Sequence, residues 1–69
     1  MTKLFVVEKL TDDEKDYTIA HLVTDFDVAV ALCSRDNKLS ISEWTYDKSL
    51  YRFNYTCSYD CNGNKVEEQ

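Results

Sequence analysis

The chain contains no proline and a single glycine, Gly63, among its 69 residues. Without a glycine-rich stretch no loop can cradle a phosphate as nucleotide hydrolases do, and without a Pro-, Gly- or Ser-rich linker nothing separates two domains. Long apolar runs are also missing. The longest, Val28 to Cys33, falls far below the roughly 18 residues that suggest a membrane span. The amino-terminal segment lacks a long hydrophobic region and is interrupted by Glu8 and Lys9, so no export signal is read and a cytoplasmic location is expected. Positive charge is scarce, with 8 Lys plus Arg against 13 Asp plus Glu for a net charge of −5. That balance argues against direct binding to nucleic acid or an anionic membrane and points to a basic partner.

Hydrophobic residues nevertheless make up 43% of the chain and aromatics 13%, too many for a disordered acidic tail. A chain this short buries about 60% of its unfolded surface, so residues 1–69 are expected to form one small domain. Lys3 to Leu10 carries Leu4, Phe5, Val6 and Val7 in one run, which fits a central strand buried on both faces. Asp16 to Val23 alternates Tyr17, Ile19, His21 and Val23 against Thr18, Ala20 and Leu22, which favours a second strand paired with the first as a hairpin.

Thr24 is read as the cap of a helix, with Asp25 and Asp27 at the positive end of its dipole and Val23 and Val28 as a hydrophobic staple. Phe26, Ala29, Val30 and Cys33 then recur as one apolar stripe, and Asn37 can take a left-handed stop. Lys38 to Asp47 reads as a third strand whose parity switches from Leu39 and Ile41 to Trp44 and Tyr46, placing a bulge near Ser42 and Glu43. Leu50 to Tyr59 alternates, with Tyr51, Phe53, Tyr55, Cys57 and Tyr59 on one face. Asn62-Gly63 has the composition of a type I′ turn, leaving Lys65 to Glu67 for a short edge strand. The fold class is therefore α+β, an antiparallel sheet of four strands, five with the edge strand, in the order ββαββ and with one helix on one face.

No catalytic motif is present, and no enzyme activity is expected. Cys33, Cys57 and Cys61 with His21 match a zinc ligand set in number, but the knuckle spacing is absent. The thiols are read as reduced core and strand residues, with no metal and no cofactor. Asp60, Asn62 and Asn64 alternate like the start of a calcium loop, but the later bidentate acid is misplaced.

Two asymmetries remain as candidate binding residues. Asp12, Asp13, Glu14 and Asp16, followed by Asp25 and Asp27, put six carboxylates into a short stretch with Lys15 as its one cation. A charged turn plus ordinary helix capping accounts for such a run. The sharper reading is an anionic surface presented to a protein built to hold phosphates. The second asymmetry is aromatic: Trp44, Tyr46, Tyr51 and Tyr55 combine apolar area with polar tips and suit an interface anchor.

Size, acidity, the absence of proline and the segments Lys3-Leu-Phe-Val-Val-Glu8, Asp25-Phe-Asp-Val-Ala-Val-Ala31 and Leu39-Ser-Ile-Ser-Glu-Trp44 give the chain a character similar to small phage and mobile-element proteins, among them the anti-CRISPR proteins. The resemblance covers the chain in style and includes no diagnostic motif. It implies stoichiometric inhibition, in the manner of a DNA mimic, of a nucleic-acid-binding protein such as a CRISPR effector subunit. A monomer is the expected state, and the rival reading is an interaction module or homodimer that uses the Tyr-rich sheet face.

Overall fold

A strand with apolar residues at both parities needs cover on both faces and neighbours on both edges. In the computed structural model, which describes residues 2–13, 15–36 and 38–66, the strand β1 (Lys3–Leu10) lies between β2 (Tyr17–Val23) and β3 (Leu39–Asp47). Phe5, Val6 and Val7 are all buried. Next to β3 come β4 (Arg52–Tyr59) and the short β5 (Lys65–Val66), giving the order β2-β1-β3-β4-β5 with every pairing antiparallel. The helix α1 (Phe26–Cys33) connects β2 to β3. The chain is thus a small single α+β domain in the expected order, fifth strand included.

The core forms where α1 meets the central strands. Phe5 and Val7 of β1, Ile41 of β3, and Ala29 and Cys33 of α1 make one buried cluster, edged by Val23, Phe26, Val30, Leu39, Tyr59 and Cys61. The expected stripe Phe26, Ala29, Val30 and Cys33 is therefore the one that packs. Phe26 meets Phe5 and Tyr59 edge-on, with ring centroids 5.5 and 4.8 Å apart. Full burial of each large apolar side chain contributes roughly 1.5–3 kcal/mol.

The helix starts one residue later than the sequence suggests. Asp25, not Thr24, is the N-cap: its backbone is extended and its Oδ1 accepts the N–H of Asp27 at 2.9 Å. A carboxylate at this position satisfies an orphan donor and meets the helix dipole as well. The Val23–Val28 staple fails with the shift, since Val28 is 46% exposed. The left-handed stop expected at Asn37 lies outside the described residues. The helix leaves through Ser34 in an ordinary right-handed conformation.

Two bulges redirect the strands. β3 pairs with β1 without interruption, so the parity switch along β3 is no bulge of its own: Ile41 serves one face and Trp44 the other. The irregularity is in β4, where Glu43 pairs with Cys57 and Trp44 with Tyr55, leaving Thr56 as the extra residue. The expected single face from Tyr51 to Tyr59 is broken there, because one extra residue flips every side chain that follows. In β2 the extra residue is Ala20, since Val7 pairs with His21 and Glu8 with Ile19.

The β4–β5 turn also differs from expectation. Gly63 has φ +85, but Tyr51 is the one described non-glycine residue with positive φ, so Asn62 does not take part in a type I′ pair. The N–H of Gly63 donates to the Asp60 carbonyl, and Asp60 Oδ1 accepts the N–H groups of Asn62 and Asn64. The result is a three-residue loop ending in a left-handed glycine.

Asp25→Ala is expected to lower stability by about 1 kcal/mol while Thr24→Ala leaves it nearly unchanged, as read by chemical denaturation. Gly63→Ala is expected to cost about 2 kcal/mol in the same measurement, because its Cβ would sit 3.0 Å from Val30 Cγ2.

Candidate interaction surfaces

The hairpin separates the carboxylates that the sequence places together. Leu10 faces Tyr17 beside the β1–β2 turn, whereas Phe5 faces Val23 at the far end. Asp12, Asp13 and Asp16 are at the turn, while Asp25 and Asp27 follow Val23, about 20 Å away by strand rise. Glu14 lies outside the described residues. At the turn Asp13 has local work: its Oδ1 accepts from the Thr11 hydroxyl and from the Lys15 N–H. The Thr11 hydrogen bond, followed by that from Lys15, holds the Asp13 carboxyl below the usual range. Lys38 Nζ comes within 4.0 Å of Asp12, and Lys9 Nζ within 3.3 Å of Asp36. The hairpin tip keeps Asp12, Asp13 and Asp16 exposed, beside these lysines.

The aromatic residues fare differently. Trp44 pairs with Tyr55 and Tyr46 with Phe53, each pair meeting edge-on with centroids 5.6 and 5.2 Å apart. Tyr51 is not among them. It sits in the β3–β4 turn, 86% exposed and with φ 52, a conformation that glycine adopts at lower cost.

Alternation assigns Trp44, Tyr46, Phe53 and Tyr55 to the parity opposite the buried cluster of Phe5, Val7 and Ile41. The same side receives Leu4, Val6, Glu8 and Leu10 from β1. The Ala20 bulge adds Tyr17, Ile19 and Leu22 from β2, and Val66 joins opposite Ser58. Ile19 is 66% exposed, and Tyr17, Leu22, Phe53, Tyr55 and Val66 are exposed too. Sequence reasoning missed the three β2 residues, because the parity change from Ile19 to Leu22 across Ala20 reads as noise until the bulge is known. Among the described strand residues of this face Glu8 is the one charged side chain. It accepts the Ser42 hydroxyl at 2.9 Å, and Ser42 Oγ accepts Trp44 Nε1 at 3.0 Å. The opposite parity carries Lys3, Lys9, Glu43, Asp47, Arg52 and Lys65.

The titratable groups near the core are coupled to one another. Glu43 is buried, accepts the Tyr59 hydroxyl at 3.1 Å and has Lys3 Nζ at 3.9 Å. Cys57 Sγ donates to Tyr59 Oη at 3.4 Å. Cys33, Cys57 and Cys61 are free thiols, and among the described residues no group of three metal-ligating side chains forms. Nor is any described helix long and apolar enough to cross a membrane. Comparison with protein-family models, with curated proteins and with solved structures gives no match.

These couplings set an alkaline limit. The hydrogen bond shared with Cys57, then burial and the hydrogen bond that Tyr59 donates to Glu43, raise the Tyr59 hydroxyl above its ordinary 10.0. Burial, then Cys61, raises the Cys33 thiol above its ordinary 9.0. Both groups are more acidic in the unfolded chain, so their stabilisation is whole below those ordinary values and is lost as pH rises above them. Denaturation midpoints are expected to fall above about pH 9, and Tyr59→Phe to flatten the part above about pH 10.

Proposed function

We propose that α1 covers one face of the sheet and that the other is the docking surface of a non-enzymatic protein-interaction module. One observation carries this reading. The solvated face of an antiparallel sheet is ordinarily polar, whereas here Tyr17, Ile19, Leu22, Phe53, Tyr55 and Val66 stand exposed on one side. Monomeric proteins rarely expose an apolar patch above several hundred Å² unless it binds something. Trp44 and Tyr55 are its natural anchors, since rigid aromatic side chains concentrate binding energy at little entropic cost. The Glu8–Ser42–Trp44 hydrogen bonds hold the indole in place.

A second reading belongs to the hairpin tip, where the Asp12 side chain is fully exposed. With Asp13, Glu14 and Asp16 it offers carboxylates in place of phosphates to a basic nucleic-acid-binding protein, as an anti-CRISPR-like inhibitor would. Asp25 and Asp27, at the other end of the hairpin, fall outside such a site.

Salt and mutation separate the two. In affinity capture from a bacterial lysate followed by mass spectrometry, proteins held by the sheet face are expected to stay bound at high ionic strength and to be lost with Ile19→Lys or Tyr55→Ala. The quadruple change Asp12→Asn, Asp13→Asn, Glu14→Gln and Asp16→Asn is expected to leave that capture intact. Salt-sensitive capture abolished by the quadruple change, and indifferent to Ile19→Lys, would sink the sheet-face reading in favour of the acidic tip.

A further inference from the structure

Resting on the docking-face reading, we infer that the occupant of this face is a second copy of the chain, the two sheets packing face to face about a two-fold axis. Charge is the first argument. The chain carries a net −5, so two copies repel wherever their carboxylates meet. The apolar face is the surface on which that repulsion is least, because its one charged strand residue, Glu8, is tied to Ser42. A basic partner finds a single carboxylate there, Glu8, already hydrogen-bonded to Ser42. A largely apolar sheet meets its own equal.

Area is the second argument. Six side chains of this face are each about half exposed, and with roughly 150–250 Å² per large side chain they offer on the order of 600 Å². The partly exposed Leu4, Leu10, Trp44 and Tyr46 bring each copy close to the roughly 800 Å² per partner of a standard interface. Relief is the third. At the middle of the face Val6 and Ser42 are buried, while Tyr17, Ile19 and Leu22 of β2 and Phe53 and Tyr55 of β4 are exposed on either side. A two-fold axis lets the rows of one copy flank those of the other, with sheets about 10 Å apart as in a β-sandwich.

Sedimentation equilibrium on the full chain, from low micromolar to several hundred micromolar and at low and high salt, tests this. The wild type is expected to be a dimer whose affinity holds or rises with salt, since screening weakens the repulsion between two acidic chains. Ile19→Lys and Leu22→Lys, both at exposed positions where folding is not at risk, are expected to weaken self-association at least about 30-fold. Val28→Lys, at an exposed helix position, is expected to leave it unchanged. A wild type that stays monomeric throughout overturns the inference, as does a dimer broken by Val28→Lys and insensitive to Ile19→Lys. If the wild type is monomeric and Ile19→Lys still releases captured proteins, the second copy is wrong and the docking face stands. If Ile19→Lys releases nothing either, both fail.

Discussion

Among the described residues one helix of eight residues, about 12 Å long, is the helical cover for a sheet of five strands. At about 4.8 Å per strand the sheet is roughly 19 Å across, wider than one helix of about 10 Å. Everything else follows from how that small cover is spent. α1 goes to the centre, where Ala29 and Cys33 close on Phe5, Val7 and Ile41. Phe26 extends the contact to Tyr59, and Gly63 brings the last turn so close that a Cβ there would lie 3.0 Å from Val30 Cγ2. On the parity opposite the core Tyr17, Ile19, Leu22, Phe53, Tyr55 and Val66 are exposed.

The two bulges decide what the parity opposite the core contains. Had β4 alternated without Thr56, Tyr55 would share a face with Cys57 and Tyr59; the extra residue instead brings Tyr55 against Trp44. Had β2 alternated without Ala20, Leu22 would lie opposite in sense to Tyr17 and Ile19 rather than beside them. A bulge costs a ladder hydrogen bond and twists the strand. Here both bulges bring large apolar side chains to the parity opposite the buried cluster, where Trp44 packs on Tyr55 and Tyr46 on Phe53.

The carboxylates teach the opposite lesson. Their crowding from Asp12 to Asp27 is a property of the chain, while their separation is a property of the hairpin, because β2 carries the chain the length of the sheet between the two groups. Two of them take local roles: Asp13 braces its turn and Asp25 caps the helix. Such roles follow from the short reach of an Asp side chain, which finds backbone N–H groups two residues on more readily than it finds a distant partner.

What the sequence determined by itself is what near neighbours enforce. The buried strand at Leu4–Val7, the helix stripe Phe26–Cys33, the order ββαββ and the absence of a phosphate loop all come from patterns a few residues long, whose physics is local periodicity and backbone freedom. Thr24 and Asp25 are both good caps by composition, and the structure uses Asp25. The tertiary structure alone decided which face each aromatic occupies and which acids stand together. Those facts depend on register across strands, and a single extra residue, Ala20 or Thr56, reverses the facing of every side chain beyond it while leaving the local composition unchanged.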